Sequence, residues 1–255
     1  LHALMMGKLI KKQESNLVGI TSSRPQNNHR EIRSNNDVNS LFFNPANITS
    51  IAIYPGVTVA KNTFAKYTNL RSIILHQGVT VEYAAFYSHT GLTSVVIHKE
   101  VTIQQQAFRG CTGLTSIVIP QGGTIEETAF AHCTGLTSVV IHQGVKIEKA
   151  AFSRCTGLTS IVLHEEVTIG SYAFYYCTNL TSVVTHQGVT IGERTFYGCS
   201  SLTSIVIPQG ITIGEYAFYN CTGLTSIVIH KEVTIGNRAF ENCTRLTSIV
   251  ISQGG

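Results

Sequence analysis

The sequence predicts a mostly β solenoid in which every 22 residues form one coil and each coil adds a strand to a shared parallel sheet. Three observations predict it. Phenylalanine recurs at Phe42, Phe64, Phe86, Phe108, Phe130, Phe152, Phe174, Phe196, Phe218 and Phe240, each step 22 residues long and without insertion or deletion. Six residues after each stands Leu or Ile, from Ile48 through Leu70 to Leu246. A unit this short has too little surface to bury its own apolar side chains, so neighbouring units must bury them together.

The unit Leu224 to Arg245, LTSIVIHKEVTIGNRAFENCTR, justifies each element in turn. Ile227 and Ile229 alternate with Ser226, Val228 and His230, the period-2 signature of a strand. Val233 and Ile235 flank Thr234 in a second, shorter strand. Gly236, like Gly170, Gly192 and Gly214, punctuates the turn that follows. Ala239, Phe240 and Cys243 have the spacing of a 3₁₀ or single helical turn. Leu224, Ile227, Ile229, Val233, Ile235, Ala239, Phe240 and Cys243 then point inward. Coils stacked about 4.8 Å apart make a rod on the order of 45 Å long with a continuous phenylalanine spine.

The ends depart from the repeat. Residues 1–40 form a non-repeating segment ahead of ten units over 41–255. Leu1 to Ile10 carries an apolar patch but no basic leader or cleavage site, and is read either as a helix capping the first coil or as disordered. Residues 14–40 are polar and turn-rich. A first residue other than Met points to a piece of a longer protein. Pro45, Tyr67 and His89 occupy the slot that later coils fill with Cys. The sequence stops just after the strand Ile249 to Ile251, an exposed edge that invites either further coils or end-to-end self-association.

The pattern CxxLTSIVIPxxVxIGxxAF resembles the BspA-like, or TpLRR-type, leucine-rich repeats, over Phe42 to Gly255. The resemblance implies an α/β-type leucine-rich-repeat solenoid, mostly β, with a parallel sheet on the concave face and short strands and 3₁₀ turns on the convex side. It also implies a surface or secreted microbial protein that binds host or matrix proteins. Units of that family usually have 23 residues and often read VTSIG where this chain reads VTIG (Val189 to Gly192), so the local curvature is expected to differ.

Columns of like residues are the places to seek chemistry. All seven cysteines, Cys111 to Cys243, share one column. Their 22-residue spacing lacks the convergence of a zinc site, and stacked side chains point the same way, which disfavours disulfides. A buried thiol ladder donating to turn carbonyls fits better. A histidine column, His76, His98, His142, His164, His186 and His230, faces outward, interrupted by Pro120 and Pro208. Stacked imidazoles about 5 Å apart repel when protonated, so acid sensing stands against a simple polar strand end, with His142, His164 and His186 the best candidates. Beside them run Ile74, Val96, Val118, Val140, Val162, Val184, Val206, Val228 and Val250, bordered by serines from Ser50 to Ser248. This outward apolar stripe reads either as plain β-propensity or as a protein-binding face. Tyr175, Tyr197 and Tyr219, with Tyr172 and Tyr216 nearby, form a lateral column that offers a second contact or shields the turn.

Composition excludes several classes. Only 13% of residues are charged against 43% apolar, and the net charge of +4 is scattered, without the basic and aromatic footprint of nucleic-acid binding. No apolar run reaches the length of a membrane span. No GxSxG, Walker loop or HExxH occurs, so the sequence predicts no catalysis, no metal and no cofactor. A single threonine per short strand (Thr102, Thr168, Thr190, Thr212, Thr234) falls short of the two-column array that ice binding needs. The expected function is protein binding, in adhesion or host and partner recognition, through Val96, His98, Val118, Val140, His142, Val162, His164, Val184, His186, Val206, Val228 and His230. The alternative is a structural spacer or self-assembling rod with no specific ligand.

Overall fold

β-Branched residues at alternate positions favour an extended backbone, and in each coil they form two strands joined by a tight corner. The computed structural model describes residues 28–40 and 45–252, so Phe42 and the apolar patch of residues 1–10 lie outside the described residues. Four-residue strands recur every 22 residues from Ser50–Ile53 to Ser248–Ile251, and all pairing among them is parallel and in register. We call their assembly the broad sheet. Two-residue strands from Thr58–Val59 to Thr234–Ile235 form a second, nine-stranded ladder, the narrow sheet.

The stack starts earlier than the repeat does. His29–Ile32, inside the segment that does not repeat, pairs parallel with Ser50–Ile53, His29 opposite Ser50. A short helix, Asn35–Ser40, follows, and the Asn35 side chain accepts a bond from the Thr58 amide at 2.8 Å. Residues 28–40 thus cover the first coil, although their sequence carries no copy of the unit.

The core lies between the two sheets and the turns that close each coil. In one inner coil all eight predicted positions are buried: Leu202, Ile205, Ile207, Ile211, Ile213, Ala217, Phe218 and Cys221. The phenylalanine spine runs unbroken from Phe64 to Phe240, rings near parallel and 5.0–5.5 Å apart. In the last described coil Ile235 is exposed and Phe240 only partly buried, because no described coil stacks beyond them.

The turns opposite the broad sheet alternate their hydrogen bonds. Ala85, Tyr87 and His89 donate back three residues, whereas Ala84, Phe86 and Ser88 donate to Gln105, Ala107 and Arg109 of the next coil. Left-handed residues such as Ala84 and Ser88 separate the turns, so no helix propagates. The glycines of the VTIG signature are not the left-handed residues. A Cβ on Gly214 would lie 2.5 Å from the carbonyl carbon of Gly192, so glycine here permits close approach of successive coils. The left-handed role falls two residues later, on Tyr172, Arg194, Tyr216 and Arg238. These glycines still open the turn that follows, as expected, since Ala217 and Ala239 donate to the Gly214 and Gly236 carbonyls.

Candidate functional site

The broad sheet is not one sheet. Its hydrogen-bonded ladders end between Ser94–Ile97 and Ser116–Ile119, and again between Ser182–Thr185 and Ser204–Ile207. Both junctions precede a proline in the histidine column. In most other coils the residue at that position donates its amide to the coil before: His98 to Leu75, His142 to Ile119, His164 to Ile141, His230 to Ile207. Pro120 and Pro208 have no N–H to give, so the carbonyls of Ile97 and Thr185 lose that donor. The effect reaches the other end of the strand. Thr137, Thr159, Thr181, Thr225 and Thr247 each donate amide and hydroxyl to the threonine carbonyl 22 residues before, a pattern absent among the described residues at Thr115 and Thr203. At the second junction the Thr185 hydroxyl bridges to the Val206 carbonyl at 2.9 Å. The narrow sheet continues past both junctions without a break.

The predicted contact residues are displayed unequally along this sheet. The valine column was expected as a continuous exposed stripe, and the structure corrects this. Val140 and Val162 are only 1% and 6% exposed. Each is flanked in register by its copies, Val118 with Val162 and Val140 with Val184, inside the unbroken middle ladder. Val96, Val118, Val184 and Val228 are half-buried. Val206, first in its ladder and bordering a junction, is 51% exposed, and Ser204 beside it is exposed.

The imidazole column is likewise segmented. His142, His164 and His186 form one stack with centroids 5.1 and 5.3 Å apart and planes within 7°. Tyr54, His76 and His98 form another, at 4.1 and 5.1 Å. His98 is exposed, and His230, between Pro208 and Ser252, stands apart from both stacks. The His186 ring lies with Nδ1 2.9 Å from the Leu163 carbonyl, an acceptor, so Nδ1 carries the proton. Nε2 of His164 is buried without a partner. Burial lowers the pKa of His164, and the neighbouring His142 and His186 lower it further against an opposing pull from Glu165. Parallel rings more than 5 Å apart do not converge on one metal ion, whose two imidazole nitrogens would lie within about 4.2 Å of each other. Among the described residues no group of three His, Cys, Asp or Glu is arranged to hold a metal.

The cysteine column is a thiol ladder. Each Sγ donates to the phenylalanine carbonyl 25 residues before, from Cys111 to Phe86 at 3.1 Å through Cys243 to Phe218 at 3.2 Å. Burial raises these thiols, Cys133 to about 12. The tyrosine column packs against its own rings and against arginines of neighbouring coils. Tyr197 stacks between Tyr175 and Tyr219, Arg194 lies over Tyr172 and Tyr216, and Arg238 over Tyr216. Arg194 and Arg238 are paired with Glu193 and Glu241, which leaves those two guanidiniums little unbalanced charge. Sequence reasoning missed the junctions, although Pro120 and Pro208 were the visible signal.

A family model described as the BspA type leucine rich repeat region matches in six copies, over residues 27–111, 79–191 and 167–254. No curated protein matches the chain. Among solved structures, a leucine rich cell surface protein from Faecalibacterium prausnitzii is 21% identical over 90% of this chain and 89% of its own, with a TM-score of 0.35. The T. pallidum leucine rich repeat protein is 24% identical over 69% of this chain and 78% of its own, at 0.45. The pneumococcal vaccine antigen PcpA is 16% identical over 82% and 69%, at 0.43. Among the described residues no helix is long and apolar enough to cross a membrane.

Proposed function

The chain belongs to the BspA-type leucine-rich repeat family, and from that premise we propose that it binds a protein partner through its broad sheet, in adhesion or partner recognition at a cell surface. The observation that carries this reading is Val206. A 51% exposed valine, bordered by Ser204, Pro208 and the half-buried Val184 and Val228, contrasts with the closed middle of the face at Val140 and Val162. Apolar groups set among small hydroxyls and imidazoles provide contact area without a fixed charge. His186 and His230 flank the same opening and supply donors and acceptors at its rim. The contact patch therefore centres on the second junction. The closed middle of the sheet, around Val140 and Val162, serves as its support.

The test is a binding series against a panel of matrix proteins with the whole chain immobilised. Val206→Glu is expected to weaken capture about tenfold, as loss of one central apolar contact does, with an unchanged circular dichroism spectrum. Val140→Glu serves as the contrast, since it places a charge in a buried position and lowers stability first. Binding that survives Val206→Glu and Val228→Glu together counts against this face.

A further inference from the structure

The stack His142–His164–His186 lies outside the apolar core, and its geometry constrains its charge state. His164 is sandwiched, with one imidazole on each face, and its Nε2 is enclosed without an acceptor. The titratable groups facing it are His142 from the preceding coil, His186 from the following one and Glu165 on its own turn. One carboxylate thus stands against three imidazoles. The ring spacing is not free to relax, because the strands Ser138–Ile141, Ser160–Leu163 and Ser182–Thr185 that carry the rings are paired in register. On the far side of His186 the ladder ends at the junction before Pro208. There no ladder bond joins the broad-sheet strands, which the Thr185 hydroxyl bridges to the Val206 carbonyl, while the narrow sheet stays closed behind them.

We propose that this stack is an acid-sensitive latch on the binding face: protonation sets like charges against one another at a spacing the paired strands hold fixed, loosens the strand Ser182–Thr185 that borders the junction beside Val206, and releases the protein held there. The release rests on the binding reading given above, whereas the coupling among the rings does not. The sign follows from linkage. Burial and like charge lower the folded-state pKa of His164 below its ordinary value of 6.5, so the unfolded or opened form binds the proton more readily. Stability is full above about pH 6.5 and is lost as pH falls through the lowered folded-state value. His76, facing His98, Arg33 and Glu31, is shifted in the same direction, first by burial. His89 and His132 are lowered by burial as well.

The experiment is an NMR titration of the histidine ring resonances in the whole chain, run on wild type and on the double variant His142→Gln, His186→Gln. The His164 midpoint is expected to move upward in the double variant, toward the ordinary histidine value, because both repelling neighbours are gone. An unmoved midpoint overturns the latch. Should the double variant misfold, each single substitution gives the same upward direction at smaller amplitude. Thermal melting supplies a second readout: wild type loses melting temperature on acidification from about pH 7 to about pH 5, and His164→Gln flattens part of that loss. A partner that stays bound at low pH while the rings titrate as a coupled set overturns the latch and leaves the binding reading standing, whereas coupled rings in a chain that captures no partner at any pH remove the binding reading alone.

Discussion

A thiol with an ordinary pKa reacts through its thiolate, so depth and charge environment decide what a cysteine does. Six of the seven here are buried, and the seventh, Cys243, is half-buried. With Cys133 pushed up to about 12 by burial, roughly one thiol in ten thousand is ionised at pH 8. Cys243, raised only to about 11, has about tenfold more thiolate and lies nearer solvent. Alkylation of the native protein is therefore expected to label Cys243 first and the remaining six only on unfolding, as peptide mass spectrometry would resolve. Equal labelling of all seven in the native state contradicts the ladder. At this scale the sequence was informative, because a residue repeated every 22 positions inherits one environment, and the thiol-to-carbonyl bond followed from that. What it left hidden was the degree of exposure of an outward residue. Val140 and Val206 occupy equivalent sites, yet Val140, with paired strands on both sides, is 1% exposed and Val206, which begins a ladder, is 51% exposed.

At the scale of the strand, one missing N–H has more influence than its small energy suggests. A single backbone hydrogen bond contributes about 1 kcal/mol net. Proline also excludes any rearrangement that would restore it, and the threonine bonds at the other end of the same strand are lost with it. Pro208→His is expected to return the donor facing the Thr185 carbonyl and to raise stability by about 1 kcal/mol. It should also reduce the exposure of Val206 and join His186 to His230 through one continuous ring stack. Hydrogen exchange reads this directly: protection at the new amide and at Thr203 should rise, and an unprotected amide would show that proline is tolerated at the junction without causing it. The two prolines were legible as interruptions of a column. Their structural effect was not, since a period of 22 residues reports which side chains align and is silent on which backbone groups pair.

For the molecule as a whole, each coil touches only its neighbours, so stability is close to a sum of coil terms and interface terms. The phenylalanine spine makes those interfaces nearly identical from Phe64 to Phe218, all fully buried. The fold class was recoverable from the sequence for this reason: ten copies of a weak signal in one register leave a single stacking solution. The start of the sheet was not recoverable, because His29–Ile32 pairs with the first coil and buries Ile32 in its core without carrying the motif of the coils it caps. The same one-dimensional logic predicts how damage spreads. Phe152→Ala removes a ring stacked on Phe130 and Phe174 in the middle of the rod and should cost about 3–5 kcal/mol. Both of its interfaces weaken, so urea unfolding is expected to divide into two transitions, one for each flank. Phe240→Ala strikes a partly buried ring stacked on Phe218 at the edge of the described coils, and should fray that coil alone at smaller cost, with the main transition unmoved. A single, equally shifted transition in both variants would mean that the coils unfold as one block, and that coupling along the rod is stronger than contacts between neighbours provide.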